Sequence, residues 1–239
     1  MRILTAIPIY NEAPHIQPVL REVLKHAESV LVVDDGSTDA TPERLAEFPS
    51  VHVIRHTRNL GYGAALKSAF EFTLRKGFDG LVTLDCDGQH EPSLIPDVAA
   101  PLAEFDIVSG SRYLKVFDPS QLPPPERRQI NIQVTRWLND CLGFNLTDAF
   151  CGFKAYRAAA LARLEPTVPG YAMPIELWVQ AAALGLTITE VPVPLIYLDA
   201  SRAFGGSLDD PTARLNHYRD VLRGAVQRNG LQLVGSCCE

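Results

Sequence analysis

Five short apolar runs alternate with stretches of helical spacing over residues 1–110, and this alternation constrains the fold more than any other feature of the chain. Residues 2–8 (RILTAIP), Ser29–Asp35 (SVLVVDD), Val51–His56, Gly80–Leu84 (GLVTL) and Asp106–Gly110 (DIVSG) read as strands. Their apolar residues are near-continuous, the pattern of parallel strands covered on both faces. Between them, Ile16, Val19, Leu20, Val23 and Leu24, then Leu66, Ala69, Phe70 and Leu74, recur at helical spacing. Residues 41–47 and 92–103 read as further helices. Strands alternating with helices specify an α/β fold, a three-layer α/β/α sandwich around a mostly parallel central sheet. Ligands of such sheets sit beyond the carboxyl ends of the strands. Pro8-Ile9-Tyr10, Asp34-Asp35 and Asp85-Cys86-Asp87 all fall there.

The pattern changes after Tyr113. Residues 116–126 carry four prolines and read as a loop. Helices are expected over 130–142, 174–184 and 212–228, and strands over 151–156, 187–191 and 193–198. Residues 199–211 read as a polar, glycine-containing mobile loop. A chain of 239 residues with 46% hydrophobic content supports one well-buried domain. The net charge of -6 disfavours nucleic acid as a partner. Most of the acidic excess lies before residue 100, where it suits a cation. Five scattered cysteines without a C-x-x-C pair fit a reduced, cytoplasmic compartment. No apolar run approaches the roughly 20 residues that span a bilayer, so membrane contact is expected to be peripheral.

Asp85-x-Asp87 after an apolar strand suits a magnesium-type ion, which takes one or two carboxylates plus substrate phosphates. On its own Asp-x-Asp is a weak signal, and an acidic turn at a strand end is the commoner reading. A calcium loop is excluded, because its sixth and twelfth places hold His90 and Pro96. The segment 34–39 (DDGSTD) offers carboxylates to a ribose or base, or caps a helix with Ser37 or Asp39. Residues 59–63 (NLGYG) match part of a dinucleotide fingerprint, but Leu66 stands at the third glycine, which favours a plain turn into a helix. Arg112, Arg127, Arg128 and Arg202 lie in or beside loops, and arginine forks suit phosphate geometry. Glu176 on the 174–184 helix is placed to orient an acceptor or to pair with an arginine. His90 adjoins the acidic cluster.

In order and spacing, PIYNE (8–12), VDDGSTD (33–39), NLGYG (59–63) and DCDGQH (85–90) resemble family 2 glycosyltransferases of the GT-A fold. GSRY (110–113), DAFCGFKAY (148–156), Gly170-Tyr171-Ala172, Glu176 and EVPV (190–193) are similar to the dolichol-phosphate mannosyltransferase branch. The resemblance implies a single catalytic domain over 1–210, with a nucleotide-sugar half (1–113), an acceptor-side half (114–210), and a terminal helix and tail (211–239). It implies that Pro8, Tyr10, Glu12, Val33 and Asp35 contact the nucleotide. Asp85, Cys86, Asp87 and Gln89 would hold Mg2+ or Mn2+ and the donor diphosphate, with Asp85, Asp87 and Gln89 as metal ligands. Arg112 would meet phosphate, Arg128 and Glu176 would bind substrate, and Arg202 would close over the donor. Asp87, Arg112 and Arg202 would carry the chemistry.

Two positions depart from the branch. Leu208 replaces the lysine of its Arg-x-x-Gly-x-Ser-Lys segment, and Asn131 or Ile132 replaces a serine four residues after an arginine. The implied partners are a nucleotide-diphosphate sugar and a polyprenyl-phosphate acceptor; a saccharide or other hydroxyl acceptor is the alternative. Inverting transfer to a phosphate needs no strong base, whereas a hydroxyl would require one from Asp148 or Glu176. The Q-x-x-R-W string at 133–137 falls in an expected helix and before Asp148, so it is set aside.

Overall fold

The first strand shows why the apolar runs are continuous. In β1 (Ile3–Ile9), Leu4 and Ala6 enter one core with Leu31, Val33 and Leu81, while Ile7 and Ile9 enter a second with Val30, Val32 and Val82. Successive side chains of a strand point to opposite faces, and here both faces are covered. The computed structural model describes residues 1–198 and 204–232. Its sheet comprises β1, β2 (Val30–Asp34), β3 (His52–Arg55), β4 (Gly80–Thr83), β5 (Ile107–Ser111), β6 (Lys154–Arg157) and β7 (Ile188–Pro192). Their order is β3-β2-β1-β4-β6-β5-β7. All pairings are parallel except those of β6, which runs antiparallel to both β4 and β5.

The helices are α1 (Ile16–Val23), α2 (Thr41–Leu45), α3 (Tyr62–Arg75), α4 (Ile95–Ala99), α5 (Pro125–Leu142), α6 (Ala158–Leu161), α7 (Met173–Ala183) and α8 (Pro211–Arg228). Residues of α1, α2 and α4 cover one face of the sheet, and those of α3, α5, α6, α7 and α8 the other. This is the expected three-layer α/β/α sandwich. From β1 the chain winds outward to β2 and β3, then crosses to β4 on the other side of β1. That reversal opens a crevice at the carboxyl ends of β1, β2 and β4.

Prolines account for most departures from the expected elements. The 92–103 helix is split into a 3-10 turn (Pro92–Leu94), α4 and a second 3-10 turn (Ala100–Ala103). Pro92, Pro96 and Pro101 each remove a backbone donor there. Pro125 instead opens α5 ahead of residue 130, since a first-turn proline sacrifices no helical hydrogen bond. Residues 193–198 do not form the expected strand. Val193 N–H still donates to the Ser111 carbonyl, but the ladder ends at Pro192. α8 starts at Pro211, capped by Asp210 Oδ1 accepting from Ala213 N–H at 2.7 Å.

Candidate active site

The crevice is a cleft of about 660 Å³. Its floor is set by hydrogen bonds among the loops that follow the strands. Asn11 leaves β1 with φ of 57°, a left-handed conformation that Asn tolerates. Its Oδ1 accepts from Thr38 N–H (2.8 Å) and Asp39 N–H (3.3 Å), and its own N–H donates to Ser37 Oγ (2.9 Å). Segments 8–12 and 34–39 are thereby tied together. Asp35 lines the cleft, and its carboxylate accepts from Leu60 N–H (3.0 Å) and Gly61 N–H (2.7 Å) while facing His56 Nδ1 at 2.6 Å.

The glycines of 59–63 serve packing. A β-carbon at Gly61, where φ is 106°, would strike the Pro169 carbonyl, and one at Gly63 would strike that of Val168. This close approach stacks Tyr62 on Tyr171, with ring centroids 5.7 Å apart. It also lets the Tyr62 hydroxyl donate to Asp85 Oδ1 at 3.1 Å.

Asp85 and Asp87 stand beyond β4 and line the cleft. Burial raises the pKa of both, and for Asp87 the neighbouring Asp85 charge raises it further. Two partly desolvated carboxylates that repel one another are stabilised by a cation between them. His90 supplies none. Burial lowers its pKa to about 4, and its Nδ1 accepts from Asp85 N–H at 3.0 Å. Gln89 lines the cleft and donates its N–H to Asp87 Oδ1 (3.0 Å). Among the described residues no three His, Cys, Asp or Glu side chains gather into an all-protein metal cage. Two carboxylates and substrate oxygens suffice for a magnesium-type ion.

Arg112 enters from the end of β5 and makes a bidentate pair with Asp148, Nε to Oδ2 at 2.7 Å and Nη2 to Oδ1 at 2.9 Å. Asn131 Nδ2 donates to the same carboxylate at 2.8 Å, which gives that departure from the family pattern a structural role. Burial alone would raise the Asp148 pKa, but Arg112 and these hydrogen bonds hold it well below the carboxylate range. Arg127 lines the cleft with its guanidinium donating to the Tyr197 hydroxyl at 2.7 Å.

Several expected site residues lie elsewhere. Val33 is fully buried in the core and does not line the cleft, because β2 is covered on both faces up to Asp34 and only Asp35, beyond the strand's end, reaches it. The Cys86 side chain is core-buried, so its contact with the cleft is essentially that of the backbone. Arg128 lies over the Tyr113 ring at 3.5 Å and lines a separate cavity of about 270 Å³. Glu176 is not at the cleft. It accepts from Thr167 N–H, Thr167 Oγ1, Val168 N–H and Arg228, fixing the loop before Tyr171. Arg202 falls outside the described residues. Conversely, Tyr62, Gly152 and Lys154 lie within the quoted motifs without an individual role read from sequence, and Arg214 lies outside every motif. The buried Lys154 ammonium hydrogen-bonds the Cys151 carbonyl, and Arg214 lines the cleft from α8.

The sequence pattern of the family described as Glycosyl transferase family 2 matches residues 5–164. The chain belongs to that family. This glycosyltransferase is 34% identical over 230 residues to an undecaprenyl-phosphate mannosyltransferase of Micrococcus luteus, covering 91% of this chain and 94% of the relative. It is 32% identical over 241 residues to the polyprenol monophosphomannose synthase of Mycolicibacterium smegmatis, covering 95% and 89%. In fold, the transferase matches the UDP complex of glucosyl-3-phosphoglycerate synthase from Mycobacterium tuberculosis with a TM-score of 0.73. That match covers 98% of this chain and 82% of the other at 22% identity, and identifies the fold as GT-A.

Proposed function

We propose that this glycosyltransferase moves a sugar from a nucleotide diphosphate to a polyprenyl-phosphate-type acceptor, with inversion at the anomeric carbon. The observation that carries the reading is the segregation of charge in the cleft. Its carboxylates, Glu12, Asp35, Asp85 and Asp87, come from the loops that follow β1, β2 and β4; its arginines, Arg112, Arg127 and Arg214, come from the chain after β5. One side suits a nucleotide with a divalent cation, the other suits phosphate.

Asp85, Asp87 and Gln89 are the residues to hold Mg2+ or Mn2+. Such an ion offsets the charge that develops on a departing diphosphate. Pro8, Tyr10, Glu12 and Asp35 face the nucleotide, and Arg112 faces a phosphate. An acceptor phosphate oxygen attacks the anomeric carbon as the bond to the diphosphate breaks, and the nucleoside diphosphate leaves with the electron pair. The acceptor is already anionic at neutral pH. Asp148 and Glu176, the two candidate bases for a hydroxyl acceptor, are committed to structural hydrogen bonds.

The polyprenyl-phosphate relatives support the acceptor class. So do Leu114, Val116, Phe117 and Leu122, exposed apolar residues between β5 and α5 beside the cleft, which suit peripheral contact of a cytoplasmic enzyme with a membrane. Among the described residues no helix is long and apolar enough to cross one. The test is an assay of labelled nucleotide sugars with manganese or magnesium, offering a short polyprenyl phosphate or the matching polyprenol. Transfer to the phosphate alone, with inverted configuration, is expected. Transfer to hydroxyl acceptors but not to the phosphate would overturn the reading.

A further inference from the structure

Arg214 is the most deeply buried arginine of the cleft, with 4% of its surface exposed. It sits in the first turn of α8, one turn before Tyr218, which lines the same cleft. Its guanidinium lies over the Phe204 ring at 4.4 Å. Its side chain makes one hydrogen bond among the described residues, to the Leu208 carbonyl at 2.9 Å. A guanidinium carries five N–H donors, so most of this fork is uncommitted. No carboxylate within the described residues pairs with it. The two nearest in sequence are engaged elsewhere: Asp209 Oδ1 accepts from Phe204 and Gly205 N–H, and Asp210 Oδ1 caps α8. Burying a charge without an anion is costly, so such a group in a cleft wall marks a place for one.

The hydrogen bond to Leu208 adds meaning to the placement. Leu208 stands where the resembled segment carries a lysine. Arg214 therefore brings a cation from the next helix to the residue at which the chain lacks one. We propose that Arg214 is a phosphate-binding residue of the transferase, replacing the charge absent at position 208. Its ligand is a phosphate oxygen, of either the donor diphosphate or the acceptor phosphate monoester. Stacking on Phe204 holds the guanidinium plane, which suits a two-pronged contact with a phosphate.

The inference rests on the proposed reading of the cleft and is tested beside it. The manganese-dependent affinity for GDP and UDP, and the KM for a short polyprenyl phosphate at saturating donor, would be measured for wild type, Arg214→Gln, Arg214→Lys and Arg214→Gln/Leu208→Lys. Thermal melts verify folding. Arg214→Gln should weaken one of the two constants at least tenfold, and the one that moves identifies the ligand. Arg214→Lys should lose less, and remains the informative variant if the glutamine protein does not fold. Leu208→Lys should restore several-fold of what Arg214→Gln loses; a residue that only packs the loop would gain nothing from a lysine at 208. A folded Arg214→Gln protein with both constants within twofold of wild type would overturn the proposal, as would a loss that Leu208→Lys leaves unchanged. A wild type that binds no nucleoside diphosphate would overturn the reading of the cleft as well.

Discussion

A β-carbon on Gly152 would collide with the carboxylate of Asp85. The contact arises because β6 runs antiparallel beside β4, with Thr83 opposite Lys154, so the chain entering β6 passes the residues leaving β4. Gly152→Ala should therefore turn Asp85 out of place. Manganese-dependent affinity for a nucleoside diphosphate should fall more than tenfold by calorimetry. Overpacking should cost about 1–3 kcal/mol in urea unfolding. Wild-type affinity in the alanine variant would show that Asp85 does not need this seat.

The Arg112–Asp148 pair sets a pH signature. Asp148 is fully buried and its folded pKa is depressed. Its contribution to stability is present above the unfolded value of about 3.9 and is lost as pH falls through the folded value. Asp148→Asn leaves Arg112 without its carboxylate, at a cost of about 3–5 kcal/mol near pH 7. The gap between wild type and variant should narrow below about pH 4. Urea unfolding at pH 3 to 7 checks this; a gap that stays constant with pH would contradict it.

Glu176 gives the opposite kind of prediction, one about architecture. Its carboxylate accepts from Thr167 and Val168 N–H and from the Thr167 hydroxyl at 2.6–2.8 Å. Those hydrogen bonds lower its pKa against the effect of burial. Glu176→Ala removes the charged acceptor of these part-buried hydrogen bonds and should cost about 1–3 kcal/mol. The midpoint of thermal unfolding should drop, while nucleoside diphosphate affinity below the transition should stay within a few-fold of wild type. A large loss of affinity in a stable variant would place Glu176 in binding after all.

The donor side of the cleft was legible because strands covered on both faces write themselves as apolar runs, and a polar cluster at the end of such a run must lie at the sheet edge. Motif spacing alone did not say which way each side chain points. Val33 is covered within β2 and only Asp35, past the strand's end, lines the cleft, and the Cys86 side chain turns inward between two cleft-lining aspartates. The acceptor side was harder to read. Lys154–Arg157 carries nothing in its composition that announces an antiparallel strand, so the meeting of Gly152 with Asp85 was invisible. Asp148 and Glu176 looked like candidate bases because their partners lie many residues away along the chain or in irregular loops. Arg214 looked like any charged residue on the surface of an amphipathic helix; only the fold turns it toward the cleft.

In the proposed reaction Asp85 and Asp87 bind the donor diphosphate through a divalent cation. Titration calorimetry of the wild type and Asp87→Ala with GDP and UDP, each with manganese and with EDTA, tests it most directly. The wild type should bind at least one nucleoside diphosphate with manganese, and that binding should be lost with EDTA or on Asp87→Ala. Equal affinity in EDTA, or an Asp87→Ala protein that binds as tightly as wild type, would contradict it.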